Sequence, residues 1–148
     1  MVNTINRKAR FNYERGESLI AGLVLSGAEV KSARLGRVNL DDSYAKIIGG
    51  ELWLINAHIA PYQPKNQPQY NPTRSRKLLV TKKELSSLFG KLKEKRLTLV
   101  PTRLFTQRGL VKIELSLGRS KKKYDKRETI KRREEEREIR RKIKRAVF

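Results

Sequence analysis

The chain lacks cysteine altogether, so it cannot carry a disulfide framework, a cysteine-ligated zinc or iron-sulfur centre, or a thiol nucleophile. Histidine and tryptophan occur once each, as His58 and Trp53. Acidic residues are scarce: 15 Asp and Glu face 36 Lys and Arg, a formal charge of +21. So large an excess is foreign to a typical metabolic enzyme and calls for a polyanionic partner, phosphate being the obvious counter-charge. No uninterrupted apolar run approaches the ~20 residues of a membrane helix, and residues 1–10 lack the apolar centre of a secretory signal. A soluble, monomeric protein of the cytoplasm without membrane contact is expected.

The 148 residues suffice for one domain with a real core. The apolar residues are concentrated before residue 118, whereas residues 119–148 hold 15 Lys or Arg and 6 Asp or Glu. The chain therefore divides into a folding body, 1–118, and a basic tail, 119–148.

In the body, Leu19 to Leu25 reads as a buried strand and Ala28 to Leu35 as a short helix stopped by Gly36. Ser43 to Ile48 and Glu51 to Ile55 flank Gly49-Gly50, a hairpin turn whose paired glycines tolerate positive φ. Four of the five prolines lie between Ala60 and Arg76, which makes that stretch a long surface loop. A strand from Leu78 to Val80 follows. Thr81 and Glu84 then fit a capping box, opening a helix whose apolar stripe is Leu85, Leu88, Phe89 and Leu92.

Two last strands, Leu97 to Phe105 and Leu110 to Leu117, join through Gln107-Arg108-Gly109; in the second, Val111, Ile113, Leu115 and Leu117 alternate with polar residues. About six short strands with two to three helices predict a mainly β fold, a small closed antiparallel barrel of the oligonucleotide-binding type, since closure removes exposed edges. The tail from Glu128 onward consists of good helix formers with only a thin apolar line, Ile139, Ile143 and Val147. It is expected to be frayed or disordered when free and helical on a polyanion.

Catalysis finds little support. His58 ends an apolar strand as a structural histidine, adjacent Asp41 and Asp42 suit a turn rather than a metal clamp, and no phosphate-binding loop or dinucleotide fingerprint occurs. No catalytic residue, metal ligand or cofactor is expected. Nucleic-acid binding has better candidates: the run Lys121, Lys122, Lys123, Tyr124, Asp125, Lys126, Arg127, and the cluster Arg74, Arg76 and Lys77. Tyr62 and Tyr70 beside that cluster either stack on unpaired bases or pin the loop. Trp53, Phe89 and Phe105 read as core. Glu29 is a carboxylate in a cationic segment; it must accept from a base edge, a 2′-hydroxyl or a neighbouring Lys.

Several stretches, namely Gly27-Ala28-Glu29-Val30-Lys31-Ser32, Asn6-Arg7-Lys8-Ala9 with Tyr13, Asp42-Ser43-Tyr44, Arg76-Lys77-Leu78-Leu79 and Lys121 to Arg127, together resemble the SmpB family of SsrA-binding proteins over nearly the whole chain. The resemblance implies a barrel that grips the tRNA-like domain of tmRNA and brings it to stalled ribosomes for trans-translation. Alanyl-tmRNA would enter with elongation factor Tu. By position, Asn6, Arg7, Lys8, Arg10, Glu29, Lys31, Ser32, Arg34 and Asn39 would contribute to the RNA face, joined by the basic candidates already named. Asp125, Lys126, Arg127, Lys131, Arg132, Arg133, Arg137, Arg140 and Arg141 would belong to a tail that reads the mRNA channel and decoding region of the small subunit. Ser120 departs from the family's glycine before the lysine pair, and Phe105 from a frequent tyrosine. A structural ribosomal protein binding rRNA shares the barrel and basic tail and stands as the alternative; a nuclease would need a carboxylate cluster not found here.

Overall fold

The computed structural model describes residues 3–120 and 131–141. Its strands are β1 (Asn3–Ile5), β2 (Tyr13–Leu23), β3 (Val38–Asn39), β4 (Tyr44–Ile48), β5 (Glu51–Ile55), β6 (His58–Ile59), β7 (Arg76–Leu79), β8 (Thr98–Gln107) and β9 (Leu110–Ser120). Within residues 3–120 three α-helices accompany them: α1 (Arg7–Asn12), α2 (Gly27–Arg34) and α3 (Lys82–Lys95). Strands β8, β4, β5, β7, β2 and β9 pair in that order, and β9 pairs back onto β8, closing an antiparallel ring of six. The oligonucleotide-binding barrel in its usual form has five. β1 extends the edge of β8, and β3 pairs with β6 in a separate ribbon.

Long strands stay regular because their irregularities fall where the backbone must bend. The β2–β9 register shifts between Arg15 and Ser18, at Gly16, and the β8–β9 register shifts between Pro101 and Arg103. Glycine and proline inside a strand mark such bulges, since one packs no side chain and the other donates no ladder bond. The hairpin of β4 and β5 turns as expected, with Gly49 at φ +60° and Gly50 at φ +77°. Inside the ring, Leu52, Leu54, Leu99, Leu104, Ile113 and Leu115 are almost wholly buried, with Ala45, Leu78 and Leu117 beside them.

Both sequence-visible helices are capped at the N-terminus by capping boxes. Thr81 and Glu84 close one on α3, as their spacing predicts, and Ser26 with Glu29 closes another on α2. The C-terminus of α2 ends in a Schellman motif: Gly36 N donates to Ala33 O at 3.0 Å and Arg37 N to Ser32 O at 3.0 Å, with Gly36 at φ +73°.

Three core expectations need correction. Phe89 is 56% exposed, because α3 covers the barrel with Leu85, Leu88 and Leu92 and turns Phe89 past the rim. Trp53 is half-buried on the outside of the barrel, between the inward Leu52 and Leu54. Of Leu19 to Leu25, only Leu19 to Leu23 is strand, the end of a longer one that alternates, so Ala21 and Leu23 are buried while Ile20 is exposed; Val24, also exposed, lies past its end.

Candidate nucleic-acid interface

The loop between β6 and β7 is tied down from below. Glu29, 1% exposed, fills one role in its helix cap, where Oε1 accepts from Ser26 N at 3.0 Å. The same carboxylate gathers the far end of the loop. Oε2 accepts from Arg76 Nε at 2.7 Å, Tyr70 Oη at 3.0 Å and Arg74 Nε at 3.2 Å, while Arg74 Nη2 donates to Oε1. Arg76, 0% exposed, completes its set of five N–H donors with Ala57 O at 2.7 Å, Arg74 O at 3.1 Å, Tyr70 Oη at 3.0 Å and Pro72 O at 2.8 Å. Ser32 Oγ donates to Ala60 O at 2.6 Å, and Ile59 N to Pro72 O at 3.0 Å. A proline-rich segment without ladder bonds is thus held to α2 by charge-assisted hydrogen bonds.

Electrostatics agree with this geometry. Burial pushes the Glu29 carboxyl up, yet the hydrogen bonds from Arg74, the Ser26 amide and Arg76, with the Arg76 charge, outweigh it and hold its pKa at about 2. Burial also pushes the Tyr70 hydroxyl up, aided by the Glu29 charge and opposed by Arg76. Glu29 accepts from arginines and a tyrosine, and not from the Lys, base edge or 2′-hydroxyl that the sequence suggested. Tyr70 therefore pins the loop through its hydroxyl, one of the two readings open for it.

The N-terminal segment repeats the logic. Asn6 caps α1, its Oδ1 accepting from Ala9 N at 3.0 Å, while Nδ2 donates to Leu40 O at 3.1 Å and Pro101 O at 2.8 Å. Asn6, Glu29, Ser32 and Arg76 are all nearly or fully buried and present almost no surface to a ligand. Their polar atoms are hydrogen-bonded inside the protein, where they hold neighbouring segments in place.

The exposed candidates stand on these supports. On α1, Arg7, Lys8 and Arg10 face solvent, and Lys8 Nζ reaches Asp42 Oδ1 at 2.6 Å, which raises the lysine's pKa through that hydrogen bond and the Asp42 charge. On α2, Lys31 Nζ sits 5.3 Å from the centroid of the Tyr62 ring, and Arg34 Nη2 donates to Gly109 O at 3.3 Å, linking α2 to the β8–β9 turn. Asn39 Oδ1 accepts from Asp41 N at 2.8 Å, forming the local turn that the aspartate pair was expected to make. Arg74 is partly exposed beside Glu29. Lys77 is separated from Arg76 by the strand alternation: Arg76 points inward, Lys77 outward beside Trp53.

Sequence reasoning missed a further basic cleft. Arg10, Tyr13, Arg15, Ser18 and Arg103 line an open hollow of about 630 Å³, where Arg103 pairs with Glu114 and its guanidinium lies 4.5 Å from the Phe105 ring centroid. Arg10, Tyr13, Arg15 and Ser18 are neighbours in the chain, but Arg103 and Glu114 reach them only through β2–β9–β8 pairing, although Gly16 in the strand was a signal for the bulge beside it. Lys121, Lys122, Lys123, Tyr124, Asp125, Lys126 and Arg127 lie outside the described residues. Of the tail, 131–141 forms a helix, α4, in which Lys131, Arg132, Arg133, Arg137, Arg140 and Arg141 are exposed; the Arg133 guanidinium lies 5.4 Å from the Phe11 ring centroid. Among the described residues no group of three or more His, Asp or Glu could hold a metal ion, and no helix is long and apolar enough to cross a membrane.

A small closed β-barrel that braces exposed arginines and lysines with buried ion pairs is the architecture of an RNA-binding protein. The chain belongs to the SmpB protein family, whose pattern matches residues 3–145. It is 51% identical over 141 residues to an SsrA-binding protein of Dehalococcoides mccartyi, covering 95% of this chain and 82% of that one. Against an SsrA-binding protein of Trichormus variabilis it is 49% identical over 144 residues, covering 97% and 93%. Its fold is similar, with a TM-score of 0.69 and 43% identity over 86% of this chain and 94% of the other, to a chain in a solved structure described as "tmRNA-SmpB: a journey to the center of the bacterial ribosome".

Proposed function

We propose that this protein binds the tRNA-like domain of tmRNA and delivers it to stalled ribosomes for trans-translation. It works in the cytoplasm as an RNA-binding factor rather than an enzyme. The observation that carries the reading is the family match across residues 3–145, joined to a fold shared at 43% identity with a tmRNA-SmpB chain.

The geometry supports a division of labour within the RNA face. Arg7, Lys8, Arg10, Lys31, Arg34 and Arg74, with the basic run at 121–124, meet phosphates and 2′-hydroxyls, while Asn6, Glu29, Ser32 and Arg76 hold them in place. The body, 1–118, recognises the folded RNA. The tail, 119–148, adds coulombic attraction and takes its working shape in the mRNA channel and decoding region of the small subunit, after entry with elongation factor Tu and alanyl-tmRNA. Ordering such a segment costs on the order of 1 kcal/mol per residue, which many phosphate contacts must offset.

Binding of the full chain to the tRNA-like domain, measured across a salt series, tests the reading. The logarithm of affinity should fall linearly with the logarithm of salt, with a slope of about −0.7 to −0.9 per phosphate contact. An unrelated hairpin RNA should bind more weakly at every salt concentration. Equal affinity for the two would overturn the proposal.

A further inference from the structure

The outer face of the barrel carries a feature that the function above does not use. In β5, Leu52 and Leu54 point into the core at 1% and 0% exposure, so Trp53 between them points out and stays half-buried. Register brackets it: Lys46 of β4 lies directly opposite on one side and Lys77 of β7 on the other. Cross-strand neighbours on one face stand about 5 Å apart at Cβ, so both ammonium groups come within reach of anything lying on the indole. Glu51 Oε1, 3.3 Å from Lys77 Nζ, steadies one of them. Tyr44, Ile48 and Leu79 are exposed on the same face, at 38%, 50% and 54%.

A flat aromatic surface flanked on two sides by cations, within an apolar patch, suits few ligands. A neutral peptide would use the apolar area but gain nothing from two lysines, and an acidic one would pair with the lysines through carboxylates that do not stack on the indole. A phosphate alone would use the lysines and leave the indole idle. An unpaired nucleotide uses both, its base on the ring and its flanking phosphates on the lysines; a base within a duplex is already stacked and cannot reach the ring. We infer that Trp53, with Lys46 and Lys77, forms a stacking site for an unpaired RNA nucleotide on the outer face of β4–β5–β7. The inference rests on the RNA-binding reading and adds to it a specific contact of single-stranded character.

Because Trp53 is the only tryptophan, the intrinsic fluorescence of the full chain reports this site directly. A short oligouridylate should quench it saturably, a duplex of equal length much less, and inorganic phosphate not at all. Anisotropy of a labelled oligouridylate should show about tenfold weaker binding for Trp53→Leu and a change within about threefold for Trp53→Phe, since leucine keeps apolar area but not stacking. Lys46→Gln, an exposed change with no folding role, should weaken binding about threefold and lower the salt slope by about one. Quenching by phosphate or duplex equal to that by the single strand, or unchanged binding by Trp53→Leu or Lys46→Gln, overturns the site. Titrating the same preparation with the tRNA-like RNA separates the levels: binding there without oligouridylate quenching removes this inference alone, and loss of both removes the RNA-binding reading beneath it.

Discussion

Arg76 and Glu29, 47 residues apart in the chain, form an ion pair of 2.7 Å between side chains at 0% and 1% exposure. Arg76 ends the loop and opens a barrel strand; Glu29 belongs to the first turn of α2. The pair therefore fixes the helix, the proline-rich loop and the sheet to one another at a single point. A guanidinium suits this position better than an ammonium, because its planar fork serves a carboxylate, a hydroxyl and three carbonyls at once.

Replacing Glu29 by Gln should be severe. It leaves the buried Arg76 cation without its counter-charge, and breaking a buried pair by neutralising one partner costs about 3–5 kcal/mol. Urea titration of Glu29→Gln should show a midpoint far below that of the parent protein. A loss below about 1 kcal/mol would mean that the pair is solvated in solution.

The same carboxylate gives stability a definite pH dependence. Its folded pKa of about 2 lies below the ordinary value of 4.5, so the folded state favours the ionised form. That contribution is fully present above about pH 4.5 and disappears as pH falls toward about 2, amounting to roughly 3 kcal/mol. Arg74 supplies the first of the interactions that lower this pKa, so the acid limb should be shallower in Arg74→Gln. Urea midpoints between about pH 6 and about pH 2.5 would show it; parallel acid limbs for the two proteins would assign the transition to other carboxylates.

Much of the barrel was legible because its signals are local. Gly49-Gly50, the Thr81 and Glu84 box, and the alternation from Val111 to Leu117 each declare themselves within a few residues. The site was only half legible. Glu29 stood out in its own segment and Arg74, Arg76 and Lys77 as a basic cluster, but nothing local showed that the two groups meet, that Arg76 and Lys77 face opposite ways or that Glu29 lies inside. Those facts depend on which strands become neighbours, a long-range property. The cleft of Arg10, Arg15 and Arg103 was invisible for the same reason, and α1 was missed because six residues around one alanine carry too little apolar pattern to announce a helix.

Burial separates two kinds of RNA-binding variant. Lys31→Ala and Arg34→Gln change exposed side chains and should lower affinity for the tRNA-like RNA, each reducing the salt slope by about one, with stability within about 0.5 kcal/mol of the parent. Asn6→Ala removes a helix cap and leaves the Leu40 and Pro101 carbonyls without their donor, which should cost about 2–4 kcal/mol and lower affinity only in step with unfolding. Paired melting and binding curves distinguish the classes. Lost affinity in Asn6→Ala at temperatures where it stays fully folded would show that Asn6 touches RNA in a rearranged state.

Deleting residues 125–148 should leave affinity for the tRNA-like RNA nearly unchanged and abolish peptide tagging on ribosomes stalled at the end of a truncated message. The body carries its own core and its own exposed cations, whereas in the described part of the tail, 131–141, all the residues are exposed, and the cation–π contact of Arg133 with Phe11 is worth about 0.5–1 kcal/mol at such a site. A contact of that size is small beside the core that holds the body together. Filter binding measures the first half of the prediction and a tagging reaction with purified ribosomes the second. If the truncated protein lost RNA affinity as well, the tail would be part of the tmRNA grip, and the body could not be treated as an independent recognition unit.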